Sequence, residues 1–505
     1  MSAREEVRQK DVGALRAAKL LAILASGLLL ASCANLETDR FGLSEASAAR
    51  DDVASNLPAE QRKEHERLVA AYGGVYHSPD LEQLISKTVD RLVAASERPD
   101  IKYRVTLLNS PAINAFALPG GTLYITRGLV ALANDSSEMS SVLAHEMAHV
   151  IARHAAIRED QVRQAMIVSR VISDVVNDPD LGALALAKSK ISLATFSRGQ
   201  ELEADAVGVG ISSRAGYDPY GASRFLTAMG KYADLKGGST PAPSQSQSQS
   251  LSGKDQVDFI SSHPSTPERI SIAVANARQY SAAPTERDHK EFIEALDGLV
   301  YGDDPKEGYV RGRSFLHPNL GFTFTAPDGF SLENTPQAVL GATSTGKEAL
   351  RLDAVRVPSM TPLANYLASG WIDGVDRSSV QSITINGFPA ATALARGDQW
   401  SFRLYAIRFG SDVYRLVFAA RQISPERDQI FRAAADSFRR VAVDEAKNVK
   451  PLRISIVRVG LTDSVEKLAR RMAVPDRQLE RFLVLNGFDR DTKLKFGEKV
   501  KIVVE

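Results

Sequence analysis

The stretch SVLAHEMAHV at residues 141–150 contains a His-Glu-x-x-His pattern, and the rest of the chain is best understood outward from it. Apolar residues recur around it with helical spacing over about residues 135–154, which predicts a helix. On that helix His145 and His149 are four residues apart, so their imidazoles share one face and can bind one metal ion. Glu146 then lies where a carboxylate can act on a coordinated water, as hydrolytic zinc sites require. A purely structural histidine pair is the alternative interpretation.

A hydrolytic zinc site needs a third protein ligand and an open position. No H-x-x-G-x-x-H extension follows the motif, so the third ligand must come from elsewhere. The best candidate segment is FSRGQELEAD at residues 196–205, in which Glu201 and Asp205 are four residues apart on a second predicted helix. Glu201 can bind zinc, and Asp205 can accept a hydrogen bond from the far nitrogen of a ligating histidine. We interpret Glu203 as a solvated side chain, and His154 as a packing or capping residue.

Composition sets the limits of the fold. The 505 residues are 44% hydrophobic and 24% charged, which predicts a globular protein of two to four domains. With 62 basic and 61 acidic side chains there is no charge excess for nucleic acid, so we expect no nucleic-acid partner. A single cysteine excludes an intramolecular disulfide. We predict a mainly helical domain with a small sheet over 56–280, a disordered loop at 237–253, a linker over 281–311, an α+β domain over 312–442 and a small separate β-α-α-β domain over 452–505.

The N-terminus has the pattern of a processing signal. Residues 20–31 form an apolar stretch of signal-peptide length, too short to span a bilayer. The stretch ends in Leu30-Ala31-Ser32-Cys33, which resembles a bacterial lipobox. We therefore expect a signal peptide over 1–32, lipidation of Cys33 and a tether over 33–55. This predicts an outer-membrane lipoprotein of the cell envelope that faces the periplasm and contacts the membrane through its lipid anchor. A plain secretory signal or a short uncleaved anchor is the alternative.

Several motifs occur in this order along the chain: Asn114–Gly121, His145-Glu146-x-x-His149, Glu201-x-x-Ala204-Asp205, Ala215–Pro219, and His263-Pro264 with Glu268-Arg269. Together they resemble the gluzincin family of CAAX-prenyl proteases and heat-shock membrane proteases (metallopeptidase family forty-eight), in its periplasmic, beta-barrel assembly-enhancing branch. The resemblance covers about residues 56–280.

The resemblance implies a helical zincin (gluzincin) domain that holds one Zn²⁺ per chain, with a small sheet whose edge strand pairs with extended substrate. It places His263 near the zinc, where it either stabilises the oxyanion or occupies the open coordination position and holds the enzyme latent. A surface-loop histidine is the other interpretation. Arg269 is expected to orient the same site. The implied roles are metal ligands for His145, His149 and Glu201, general base for Glu146, and a hydrogen-bond partner of the ligands for Asp205.

The domains after the helical one carry less chemistry. Residues 312–442 weakly resemble PsbP-like or Mog-like domains and contain no catalytic motif. Residues 452–505 resemble a LysM peptidoglycan-binding module. Thr462-Asp463-Ser464 replaces the usual Gly-Asp-Thr, so both glycan binding and a role as a protein contact or cap stay open.

These features predict a lipid-anchored zinc metalloendopeptidase that hydrolyses peptide bonds in misfolded or stalled envelope proteins. Two alternatives belong to other classes. One is a non-proteolytic chaperone or scaffold between membrane and peptidoglycan, which would not need the Glu146 carboxylate. The other is a zinc peptidase acting on cell-wall peptides, which the LysM-like domain would suit.

Overall fold

The structure is a computed structural model that describes residues 53, 57–158, 160, 196–236, 259–280, 289–369, 371–372, 374–397 and 399–505. Predictions for the signal peptide, Cys33, nearly all of the tether and the 237–253 loop concern residues outside these ranges. Among the helices that are described, none is both long and apolar enough to cross a bilayer.

The first part of the chain is mainly helical with a small sheet. Two short β-like runs of the sequence, residues 103–108 and 122–126, form strands of this sheet. The elements are α1 (Ala59–Ala71), α2 (Pro79–Ala95), β1 (Arg104–Leu108), β2 (Ala115–Ala117), β3 (Thr122–Thr126), α3 (Arg127–Leu132), α4 (Ser136–Ile151), α5 (Arg198–Arg214), α6 (Gly221–Leu235), α7 (Phe259–Ser262) and α8 (Pro267–Arg278).

The small sheet leaves one edge beside α4. Its strand order is β1-β3-β2, with β1 parallel and β2 antiparallel to β3. The outer side of β1 is covered, because Val75 bridges to Leu108 and the Tyr76 N–H bonds to Leu107 O at 2.8 Å. Within the described chain β2 pairs only with β3, so its outer edge offers the backbone groups to which another strand can bond.

Helices α4 and α5 pack closely against each other. Asp135 caps α4 by accepting from the Glu138 N–H at 2.8 Å. Ser197 and Gln200 form a reciprocal capping box at the start of α5. A Cβ added at Gly208 of α5 would lie 3.0 Å from the His145 backbone nitrogen. The absence of a side chain at Gly208 therefore lets α5 approach the His145 turn.

The α+β domain follows. It has β4 (Tyr309–Arg311), β5 (Ser314–His317), β6 (Phe322–Thr325), β7 (Phe330–Asn334), β8 (Val339–Thr343), β9 (Glu348–Val355), α10 (Leu363–Ala368), β10 (Val375–Ile385), β11 (Phe388–Arg396), β12 (Ser401–Phe409), β13 (Asp412–Ala420), α11 (Pro425–Asp436), β14 (Arg439–Arg440) and α12 (Val443–Asn448). A seven-stranded antiparallel sheet has the order β10-β11-β12-β13-β9-β8-β7, and a four-stranded sheet has the order β14-β6-β5-β4. Two hydrophobic clusters form its core, and both consist of residues from this domain alone.

The C-terminal unit has the predicted β-α-α-β order: β15 (Arg453–Arg458), α13 (Val465–Ala469), α14 (Gln478–Asn486) and β16 (Lys499–Val504). Its apolar residues, Leu468, Phe482 and Val503 among them, belong to the same cluster as Leu143 of α4. The expectation of a separate domain is therefore wrong, because this unit completes the core of the helical domain.

The linker expected over 281–311 is also wrong for its described part, from residue 289 onward. A further helix, α9 (His289–Ala295), begins there, and Phe292 and Leu296 are fully buried in the shared core. Residues 298–301 then pair with β15, since the Gly298 N–H bonds to Ile454 O and the Ile454 N–H to Leu299 O, both at 2.8 Å. Apolar burial and backbone pairing hold this stretch in place.

Candidate metal centre

The candidate site is built from two crossing helices and the segment that joins α7 to α8. Helix α4 supplies His145, Glu146 and His149, and the first two turns of α5 supply Glu201 and Asp205. The structure brings every metal-site residue singled out in the sequence to one place, including His263 after α7 and Arg269 in the first turn of α8. All seven side chains are buried.

Four possible ligand atoms converge. One atom each from His145, His149, Glu201 and His263 lies within 4.8 Å of all the others. The two Nε2 atoms of His145 and His149 are 3.0 Å apart. The His263 Nδ1 atom is 3.3 Å from His145 Nε2 and 2.8 Å from Glu201 Oε1. Three imidazoles and a carboxylate are the donor set that suits zinc, so these residues fit the expected ion.

The charge states of these side chains suit ligation, which needs neutral imidazole and ionised carboxylate. Burial and the neighbouring His145 and His263 lower the pKa of His149. Burial alone would raise the pKa of Glu201, but the hydrogen bond from His263 and the electrostatic influence of the neighbouring His145 lower it below its ordinary value.

A buried ion-pair network supports His145. Its Nδ1 atom is 3.0 Å from Asp205 Oδ1. Arg269 donates to both oxygens of Asp205 at 2.8 Å and lies 2.9 Å from Glu201 Oε2. Burial opposes ionisation of Asp205, but the hydrogen bonds from Arg269 and His145 outweigh it and lower the pKa of this carboxyl. The Asp205 carboxylate beside Nδ1 favours the His145 tautomer with its proton on Nδ1, which leaves Nε2 free to ligate.

Glu146 lies beside the ligand cluster and is buried. Burial raises its pKa to about 8, against the opposing electrostatic influence of the neighbouring His145. The backbone N–H of Ala117 in β2 bonds to the carboxylate. No side chain or backbone group of the described residues bonds to its Oε1 atom, which is 3.8 Å from His263 Nε2. A buried oxygen without a partner, at the side of a metal cluster, is suited to receiving a proton.

Sequence reasoning missed two contacts of His149 and one of its neighbour His154. Its ring stacks on Phe196 with centroids 4.0 Å apart. Its Nδ1 atom is 2.8 Å from Nδ1 of His154, whose Nε2 atom is 3.3 Å from Glu203 Oε2. His154 does not join the ligand cluster, as expected, but Glu203 is not merely a solvated side chain. The five-residue spacing from His149 to His154 gave no signal, because such residues do not share a face on a regular helix.

A His-Glu-x-x-His helix joined by a glutamate from a second helix defines a metallopeptidase. Residues 79–277, from the first residue of α2 into α8, match the model of peptidase family M48. The chain therefore contains an M48 peptidase domain, as the sequence resemblance implies.

Curated relatives agree with this assignment. The beta-barrel assembly-enhancing protease of Yersinia pestis is 29% identical over 56% of this chain and 59% of its own length. That of Escherichia coli is 31% identical over 30% of this chain and 33% of its own length. The mitochondrial metalloendopeptidase OMA1 of Schizosaccharomyces pombe is 30% identical over 39% of this chain and 52% of its own length. The chain thus spans less than two thirds of each.

Among solved structures, the cyanobacterial PsbP protein (CyanoP) of Synechocystis matches 29% of this chain and 93% of its own length. The identity is 13% and the TM-score 0.19. A score this low does not establish a shared fold.

Proposed function

We propose that this chain is a zinc-dependent metalloendopeptidase of the cell envelope, with His145, His149 and Glu201 as the ligands of one Zn²⁺. The observation that carries the proposal is the convergence of the ligand atoms within 4.8 Å, next to the buried Glu146. A scaffold without catalysis would have no use for a buried, unpartnered carboxylate oxygen, which costs folding free energy.

Zinc, when bound, activates water and polarises the carbonyl to be attacked. The chain's own residues supply the remaining steps. Glu146 takes the proton of the attacking water and passes that proton to the leaving amine. Asp205 and Arg269 hold His145 and Glu201 in place.

The edge strand β2 gives a path for substrate. An extended peptide paired with the outer edge of β2 would bond to the backbone groups that neither β3 nor Glu146 occupies. The Ala117 N–H that bonds to Glu146 belongs to this strand, so such a peptide passes directly beside the general base. Pairing with an edge strand uses the backbone hydrogen bonds of the substrate rather than its side chains. It requires an extended segment, so it favours unfolded chains as substrates.

His263 holds the site in a latent state in this proposal. Its Nδ1 atom lies among the ligand atoms, 2.8 and 3.0 Å from the two oxygens of Glu201. That arrangement supports occupation of the open coordination position over stabilisation of the oxyanion. Phe259 holds the ring from one face with centroids 4.5 Å apart. Activation then requires His263 to leave the cluster.

The envelope setting rests on two supports. Relatives from Yersinia pestis and Escherichia coli are named beta-barrel assembly-enhancing proteases. The Leu30-Ala31-Ser32-Cys33 sequence suits lipidation at Cys33. We therefore propose an outer-membrane lipoprotein facing the periplasm, with misfolded or stalled envelope proteins as substrates.

The test uses the full-length chain in detergent, beside Glu146→Gln and His263→Ala. We expect one zinc per chain in wild type and in Glu146→Gln, with casein degradation lost in Glu146→Gln and increased in His263→Ala. Absence of zinc from the folded wild type would contradict the metallopeptidase proposal. Unchanged casein degradation in His263→Ala would contradict latency alone.

Cell-wall peptides are the second candidate substrate. Leu461 and Phe496 of the C-terminal unit are 85% and 73% exposed. Their loops are joined by the hydrogen bond from Gly497 N–H to Val459 O at 2.9 Å. Large apolar side chains exposed together favour a ligand contact there. A zymogram on peptidoglycan beside one on casein separates the two substrates, because cleavage of peptidoglycan alone would replace the first proposal.

A further inference from the structure

The two histidine ligands are supported in different ways. His145 contacts the buried Asp205 and Arg269, as described above. His149 contacts His154, which is 1% exposed and follows the end of α4. Arg153, between them, has a φ of 56°. This left-handed conformation is unfavourable for a residue other than glycine. It turns the chain back so that the His154 ring lies 4.9 Å from the ring of His149.

From these contacts we infer that His154 and Glu203 are positioning residues of the metal site, which hold His149 in the tautomer and orientation that ligation needs. The inference rests on the zinc site proposed above.

The proton positions follow from the direction of each contact. His149 Nε2 faces the cluster, 3.0 Å from His145 Nε2 and 3.6 Å from Glu201 Oε1. A ligating nitrogen carries no proton, so the proton of His149 is on Nδ1. It is donated to His154 Nδ1 at 2.8 Å, which leaves the proton of His154 on Nε2, 3.3 Å from Glu203 Oε2. The Glu203 carboxylate accepts it, so both hydrogen bonds run in one direction.

The contacts from His149 through His154 to Glu203 run from the buried site to the protein surface. The side chain of His154 is 2% exposed, whereas that of Glu203 is 58% exposed. Helix α5 therefore contributes to the surroundings of both histidine ligands. Asp205 contacts His145 directly, and Glu203 reaches His149 through His154. Such support residues typically change metal affinity about 10- to 100-fold when they are replaced.

The experiment compares His154→Leu, His154→Asn and Glu203→Gln in the full-length chain. Zinc affinity is measured by competition with a chromogenic chelator, and ligand geometry by the visible absorption of the Co²⁺-substituted protein. We expect His154→Leu to weaken zinc binding about 10- to 100-fold and to shift the Co²⁺ bands. His154→Asn, which keeps an acceptor close to the Nδ1 position, should recover most of both. Glu203→Gln should act in the same direction and by less.

His65→Leu is the matched control, because His65 is as deeply buried in the same domain and is bonded to the Tyr124 hydroxyl, 2.8 Å away. Equal losses in His154→Leu and His65→Leu would overturn a specific role, as would wild-type zinc affinity and Co²⁺ bands in both His154→Leu and Glu203→Gln. A folded wild type that binds no zinc would instead overturn the proposed function itself.

Discussion

The C-terminal unit and the α+β domain follow each other in the chain but relate to the peptidase domain in opposite ways. The C-terminal unit shares one hydrophobic cluster with α2, α4 and α6. The α+β domain has two clusters of its own. The segments that enter and leave the α+β domain lie side by side, because the Tyr301 N–H bonds to Leu452 O at 2.7 Å. It is therefore an insertion into a peptidase domain that is completed by the last 54 residues of the sequence, 452–505.

A buried lysine of the C-terminal unit contacts the peptidase domain within the shared core. Lys501 of β16 is fully buried and donates to Ala131 O and Ala133 O at 2.9 and 2.8 Å, between α3 and α4. Glu138, in the first turn of α4, provides the nearby negative charge: burial lowers the pKa of Lys501, and Glu138 opposes the shift. The C-terminal unit thus contacts the start of the helix that carries the metal ligands. Order along the chain is a poor guide to which parts form one cooperative unit.

The largest effect should come from ending the chain at residue 451. The truncation exposes many apolar side chains, each worth about 1.5–3 kcal/mol when buried, against a total domain stability of about 5–15 kcal/mol. We expect the peptidase domain to lose cooperative unfolding and zinc binding, measured by circular dichroism and metal analysis. Cooperative melting with zinc still bound would show that the C-terminal unit is separate after all.

Lys501→Met tests the same interface at one residue. Loss of the ammonium leaves the carbonyls of Ala131 and Ala133 without this donor and removes a positive charge near the buried Glu138. We expect the free energy of unfolding to fall by about 3 kcal/mol. Urea unfolding measures the free energy, and Lys493→Met at an exposed position of the same unit is the control. Equal stability of the two variants would mean that Lys501 makes no net contribution to docking.

Acid should weaken the α+β domain through His317 of β5. Burial lowers the pKa of His317 to about 4, so between pH 6.5 and pH 4 the unfolded state binds the extra proton. Stability therefore falls with pH in that window, by about 2 kcal/mol at pH 5. The only two tryptophans, Trp371 and Trp400, lie in this domain, so their fluorescence during urea unfolding at pH 8 and pH 5 reports on it.

His317→Asn keeps an acceptor for the Leu320 N–H, which bonds to His317 Nδ1 at 3.2 Å, and does not titrate. The part of the pH dependence due to His317 should disappear in this variant. A pH dependence equal to that of wild type would assign the effect to other groups.

Removal of the α+β domain should have the smallest effect of the four changes on zinc binding and stability of the peptidase domain. The variant lacks residues 305–449, and a short Gly-Ser turn joins the two ends. The ends already lie in an antiparallel pair, with Val300 bridged to Arg453. We expect zinc content and the thermal midpoint of the peptidase domain to stay close to wild type. Loss of zinc binding would show that the α+β domain supports the site.

Much of the site could be predicted because it depends on local spacing. His145 with His149, and Glu201 with Asp205, are pairs separated by one helical turn, so a helix alone places each pair on one face. Strands β1 and β3 and the β12–β13 hairpin, which turns at Gly410, likewise follow from local patterns. His154 could not be assigned, because its contact with His149 depends on the left-handed turn at Arg153.

The sequence by itself determined the chemistry: which residue types can hold a metal, which carboxylate can serve as base, and where the helices that carry them begin. Only the tertiary structure decided how the parts join. The position of His263 among the ligands, the support of His149 and the burial of Lys501 all join residues far apart in sequence or depend on one unusual turn. Such contacts form because apolar burial brings their helices and strands together. The periodicity of one segment does not indicate which other segment it will pack against.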